Sequence, residues 1–192
     1  EHGATSLMAT PTAWRMLVSQ ARLRPGEDLL IIGVGGGVSS TGVQIGKLCG
    51  ARVWVTSSSD EKLERARALG ADECINYAKD DWVKVIGQKT GRRGVDVVLE
   101  NVGAATWPGA IRALAKGGRL VTCGGTSGPI CETDVRQVFW KQISIIGSTM
   151  STNAEFAEVM GQLFRGRLTA IVDSVMPLKD GAAAQERLAA AR

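Results

Sequence analysis

Six short, predominantly apolar runs separated by helical stretches constrain this chain more than any other feature. Residues 29–34, 52–56, 74–77, 95–100, 119–123 and 143–147 read as strands. The spacing predicts helices over 41–48, 61–69, 82–89, 105–114 and 135–141 between them. A further helix, 12–21, precedes the first strand, another, 153–164, follows the last, and the alanine-rich stretch from Ala182 is helical too. Asp60 is the predicted N-cap of the helix that Gly70 stops. Strands with so few charges are buried on both faces, which requires a parallel sheet with helices on either side. The reading is an α/β chain with a doubly wound, six-stranded parallel sheet in the order 3-2-1-4-5-6. With no internal repeat and no low-complexity linker, residues 1–192 read as a single domain.

Composition narrows the functional classes. Hydrophobic residues make up 44% and charged residues 22% of 192, as in an ordinary globular protein. The net charge of +4 is mild, and the basic residues sit on helical faces such as 61–67 without interleaved aromatics. A nucleic-acid platform is therefore not expected. The four cysteines, at 49, 74, 123 and 131, form no CxxC pair, and because three of them fall in or next to apolar segments they read as small buried hydrophobes rather than as ligands. One histidine, His2, does not make a metal site. With no secretory signal and no apolar stretch of membrane-spanning length, the expectation is a cytoplasmic protein that does not engage a membrane.

The chemistry-bearing segment is Ile32-Gly33-Val34-Gly35-Gly36-Gly37-Val38-Ser39-Ser40-Thr41-Gly42, between the first strand and a helix. There the backbone turns sharply and the helix presents free N–H groups to an anion. Gly33, Gly35, Gly36, Gly37 and Val38 are thus candidates for packing on a pyrophosphate. The strict G-x-G-x-x-G spelling is absent: Val38 follows Gly33 and Gly35, and Ser39 stands where a glycine would end the frame from Gly36. A plain strand-to-helix turn and the similar loops of S-adenosylmethionine enzymes remain open on the glycines alone.

The end of the second strand bears on which nucleotide. An NAD site usually carries an acid there, for the adenosine ribose. Here Ser57 takes that position, 24 residues after Gly33, and no acid is present in 55–59. A hydroxyl leaves room for a 2′-phosphate. Lys62 supplies a cation one turn into the next helix, and Tyr77 a phenol from the neighbouring strand. NADP(H) is favoured over NAD(H), and Asp60 reads as a helix cap rather than a ribose ligand.

Taken in order, several segments resemble the medium-chain dehydrogenase/reductase superfamily, in its zinc-type alcohol dehydrogenase and quinone oxidoreductase branches. They are Thr12-Ala13-Trp14, 23–31, Gly36-Gly37-Val38-Ser39, 57–72, Ile75-Asn76-Tyr77, Gly94-Val95-Asp96, 117–121 and Ile146-Gly147-Ser148. The resemblance implies a Rossmann fold with Gly36 to Val38 on the pyrophosphate and Lys62 and Tyr77 on the 2′-phosphate. It puts Asn101 and Gly103 near the cofactor ribose, and Cys123, Gly124 and Gly125 along the nicotinamide side. Thr12 would start its helix close by. It also implies hydride transfer between nicotinamide and a carbonyl, alcohol, quinone or enoyl substrate.

Three departures accompany the likeness. The amino-terminal substrate domain of such enzymes is not in this sequence, 7–11 holds no cysteine where zinc-using members often place one, and no Gly-Lys return strand precedes Arg192. The expectation is a chain with no catalytic residue and no zinc of its own, which binds the dinucleotide without turnover and forms a homodimer through the apolar edge of strand six. The alternatives are a stand-alone, non-catalytic nucleotide-binding module and an enoyl reductase domain of a multienzyme synthase.

Overall fold

The computed structural model describes residues 6–190. His2 and the first and last few residues discussed above lie outside that range. A first helix, α1 (Ala9–Trp14), runs into a π-helical turn (Arg15–Gln20) and reaches β1 (Asp28–Ile31). There follow α2 (Gly37–Leu48), β2 (Arg52–Ser57), α3 (Asp60–Ala68), β3 (Glu73–Asn76), α4 (Trp82–Lys89) and β4 (Val95–Glu100). The second half comprises α5 (Trp107–Ala113), β5 (Leu114–Thr122), α6 (Val135–Lys141), β6 (Ser144–Gly147) and α7 (Asn153–Phe164). A 3-10 turn (Leu178–Asp180) leads into α8 (Gly181–Ala190).

The sheet order is β3-β2-β1-β4-β5-β6, all parallel, as the alternation predicts. Each face has its own core. Leu29, Ile31, Val53, Val55, Val97 and Leu99 point to the side of α1 and α2, against Leu17, Val43 and Ile45. Leu30, Trp54, Val98 and Leu120 point the other way, against Ile86, Ala110 and Ile111. Successive strand residues bury on opposite faces, so neither face is solvated. Each such side chain, removed fully from water, stabilises the fold by roughly 1.5–3 kcal/mol. Trp54 keeps its indole N–H satisfied at Asp28 Oδ1, 2.8 Å away.

Three local expectations need correction. Thr12 does not start its helix: α1 begins at Ala9, Pro11 is tolerated in the first turn, and the Thr12 hydroxyl donates back to the Met8 carbonyl at 2.8 Å. Asp60 is not the N-cap of α3. Ser59 caps it, accepting from the Lys62 N–H at 3.3 Å, while the Asp60 carboxylate binds Asn76 and Lys79 at 2.7 and 2.6 Å. Finally, β5 begins at Leu114 rather than Arg119, because Leu114 already pairs with Val95 across an irregularity in β4.

Candidate functional site

Because β1 lies between β2 and β4, the chain leaves it in opposite directions on its two sides, and a crevice opens at the carboxyl ends of the strands. Three sets of residues build its rim.

The first is the glycine turn after β1. Gly33 (φ +74°) and Gly35 (φ +138°) adopt backbone conformations that L side chains rarely reach. The turn is pinned to β2: the Gly33 N–H donates to Thr56 Oγ1 at 3.1 Å and the Val34 N–H to the Thr56 carbonyl at 2.8 Å. Gly36 is the N-cap of α2, and Ser39 Oγ closes the turn by accepting from its N–H at 3.2 Å. A Cβ on Gly36 would meet only that hydroxyl, at 3.8 Å, so the space above it is open. The first N–H groups of α2 have no intrahelical partner and face this space. Gly37 is a glycine for another reason, since its Cβ would stand 2.8 Å from Ala9 Cβ.

The close helix–sheet approach normally given to the last glycine of the motif falls to Gly42 and Gly46, one and two turns later. A Cβ on Gly42 would lie 3.1 Å from Leu99, and one on Gly46 2.7 Å from Leu29. The sequence reading missed this role because it looked for the third glycine at positions 38 and 39.

The second set stands at the ends of β2 and β3. Ser57 is buried, and its Oγ accepts from the Ser59 N–H at 3.2 Å. Tyr77 follows β3, half-exposed, with its N–H on the Ser57 carbonyl at 3.0 Å. The Lys62 stem folds over the glycine turn, its Cδ 2.9 Å from where a Gly35 Cβ would be. Gly35, Ser40, Lys62 and Arg65 share one cleft of about 470 Å³. Arg65 is a second cation here that sequence reasoning passed over. Three acids stand near these cations, each already paired: Asp173, which lines the same cleft, with Arg187 at 2.9 Å, Glu61 with Arg65 at 2.7 Å, and Asp60, held below the usual carboxylate range first by the Lys79 ammonium and then by Asn76.

The third set lies beyond β4, β5 and β6. Gly103, Thr122, Cys123, Gly124, Gly125 and Ser148 line a second cleft of about 490 Å³. Gly103 (φ +88°) is pressed against the Gly128 carbonyl, and Gly124 would put a Cβ 3.2 Å from the Asn101 carbonyl. These glycines therefore let one protein loop approach another. Burial pushes the Cys123 thiol up, and nearby Glu100 adds to it, so the sulfur is held neutral. Two buried oxygens at this edge, Asn101 Oδ1 and Ser148 Oγ, have no hydrogen-bond partner among the described residues. Such atoms are costly unless something pairs with them.

Of the predicted residues, Gly35 and Lys62 line one cleft and Gly103, Cys123, Gly124 and Gly125 the other, while Thr12, Gly33, Gly36, Gly37, Val38, Ser57, Tyr77 and Asn101 line neither. Open space above a glycine cap, cations at one end and orphaned polar atoms at the other fit an extended anion with a polar ring-bearing end. By contrast, among the described residues no group of three or more His, Cys, Asp or Glu could hold a metal ion, so the donor set does not fit zinc.

A six-stranded doubly wound sheet with a glycine turn at its switch point defines a Rossmann-type cofactor-binding domain. Residues 37–165 match the profile of the zinc-binding dehydrogenases. The chain belongs to that family, within the medium-chain dehydrogenase/reductase superfamily, and corresponds to its carboxy-terminal cofactor-binding domain. It is 33% identical over 181 residues to a quinone oxidoreductase of Rattus norvegicus, a match covering 91% of this chain and 54% of the relative. A solved NAD-dependent alcohol dehydrogenase superposes with a TM-score of 0.87 at 42% identity, over 94% of this chain and 52% of the other. The 2-octenoyl-CoA carboxylase reductase CinF, in complex with NADP and 2-octenoyl-CoA, gives 0.91 at 31% identity, over 98% and 47%. The chain spans about half the length of the curated relatives it matches.

Proposed function

We propose that this chain is the NADP(H)-holding domain of an oxidoreductase that moves hydride between nicotinamide and a carbonyl, alcohol, quinone or enoyl substrate. The observation that carries the nucleotide preference is the end of β2: a small hydroxyl at Ser57, no acid, and Lys62 lying across the glycine turn, with Arg65 beside it. A 2′-phosphate finds cations and hydroxyls there and meets no uncompensated carboxylate.

In this reading the open face of Gly36 and the start of α2 hold the pyrophosphate. Lys62, Ser57 and Tyr77 hold the 2′-phosphate, and Asn101 and Ser148 offer their unpaired oxygens to the donors of the nicotinamide half. The cofactor supplies the hydride chemistry, and these residues bind and orient it. In the same reading residues 1–192 are a single binding domain without turnover of their own. The homodimer forms through β6. A cytoplasmic location is part of the same proposal; among the described residues, no helix is long and apolar enough to cross a membrane.

Calorimetric titration with NADPH and NADH tests this directly. NADPH is expected to bind the tighter, and Lys62→Ala to weaken NADPH by about tenfold while leaving NADH unchanged, as the loss of one charge-assisted contact implies. Tighter NADH binding would discard the 2′-phosphate assignment. Turnover of a carbonyl or quinone substrate by the purified chain would discard the view that it only binds.

A further inference from the structure

Glu100 closes β4 and is fully buried. Its Oε1 accepts three hydrogen bonds, from the Val102 N–H at 2.8 Å, the Gly103 N–H at 2.9 Å and Thr106 Oγ1 at 2.8 Å. On the other oxygen, the Thr122 hydroxyl stands at 3.5 Å. All these partners are neutral, and among the described residues Glu100 has no ion pair. A buried carboxylate without a cation is rare because its desolvation is costly. Here three donors converge on one carboxylate oxygen and a hydroxyl stands by the other, with no counter-charge beside either.

Its position gives the charge a use. Gly103 and Thr122, both bound to it, line the cleft beyond β4 and β5, and Asn101 with its orphaned oxygen lies in the turn it ties down. The field reaches into that cleft, since the Cys123 thiol is pushed up by burial first and by Glu100 second. The oxidised and reduced cofactors share the same adenosine and pyrophosphate. They differ in formal charge only at the nicotinamide ring, which is cationic when oxidised and neutral when reduced.

Resting on the reading that this cleft takes the nicotinamide half, we infer that Glu100 is a positioning residue with two effects. It fixes the 101–103 turn, and its buried negative charge makes the site hold the oxidised cofactor more tightly, relative to the reduced one, than the same site without the charge. Glu100→Gln separates the two effects. Its carbonyl oxygen can still accept the three donors that shape the turn, while the charge is gone.

The experiment is a pair of calorimetric titrations, NADP⁺ and NADPH, on the wild type, Glu100→Gln and Thr106→Val, with thermal melts in parallel. Glu100→Gln is expected to shift the ratio of the two dissociation constants by about tenfold against NADP⁺, the size of one unscreened charge acting through protein. Thr106→Val keeps the charge and loses only a hydroxyl donor, so its ratio should stay at or above that of the wild type, and it gives a readout even if Glu100→Gln does not fold. An unchanged ratio in Glu100→Gln, or a fall in Thr106→Val, overturns the inference and leaves the cofactor assignment standing. Failure of the wild type to bind either form overturns both.

Discussion

At Gly36 a Cβ would meet nothing nearer than the Ser39 hydroxyl, 3.8 Å away, and the backbone sits at φ −88°, open to any residue. At Gly103 the backbone is at φ +88° and the Gly128 carbonyl fills the place of a Cβ. The same substitution should therefore have opposite consequences. Gly36→Ala is expected to leave stability within about 0.5 kcal/mol of the wild type but to weaken NADPH binding at least tenfold, because the methyl stands where the pyrophosphate is to pack. Gly103→Ala is expected to lose about 2 kcal/mol or more of stability, from left-handed backbone and loop collision together. Thermal melts and calorimetry on both variants check the pair. Nothing in the sequence separates these glycines, since the difference lies in what occupies the space above each. The sequence does not single out Glu100 either, since it reads as the last residue of the strand 95–100, and its burial and its hydrogen bonds come from the fold.

Among the elements, α7 is fastened to the first helical segments by two acids, Glu158, which accepts from the Trp14 indole N–H at 3.1 Å, and Glu155, which makes the larger set of contacts. Glu155 accepts from Arg15 at 2.9 Å, from Ser19 Oγ at 2.5 Å and from the Thr152 N–H at 2.6 Å, with its side chain one-tenth exposed. Burial alone would raise its pKa. The Ser19, Thr152 and Arg15 contacts outweigh that and bring it to about 2, from an ordinary 4.5. A carboxyl whose folded pKa is depressed contributes stability that is complete above its unfolded value. That stability is lost as pH falls from about 4.5 toward about 2. Allowing for solvent screening, the contribution is about 2 kcal/mol. Chemical denaturation at pH 6 and pH 3 should show it in the wild type, and Glu155→Gln should be less stable at pH 6 with a flatter acid slope. An acid slope identical in both proteins would mean that Glu155 does not carry it.

This contact was illegible in the sequence because its partners are 136 and 140 residues apart. Elements set by local pattern were legible: α4, β4, α6 and α7 fall at the bounds that caps and apolar period predict, as does the sheet order. The failures came where a neighbour decided the outcome. Ser59 displaced Asp60 as cap because Asn76 and Lys79 had already engaged the aspartate, and Leu114 joined β5 early because an irregularity in β4 offered it a partner.

For the molecule as a whole, the open question is what meets β6. It is the last strand of the sheet, paired on one side only with β5, and Ile145 is 39% exposed on it. The helix that feeds it carries Phe139 and Trp140 at 57% and 73% exposure. An unpaired edge flanked by large apolar groups invites another strand, and a second copy of β6 related by a two-fold axis would satisfy both edges at once. Two six-stranded sheets would then become one continuous sheet, with each nucleotide crevice left open at the carboxyl ends of its own strands. Ile145→Lys tests the arrangement, because a charge on the edge opposes pairing while an exposed position tolerates it within the fold. Sedimentation is expected to give a dimer for the wild type and a monomer for the variant, both with unchanged NADPH affinity, since Ile145 lines neither of the two clefts. A wild type that sediments as a monomer would remove the dimer from the proposal and leave the cofactor site as it stands.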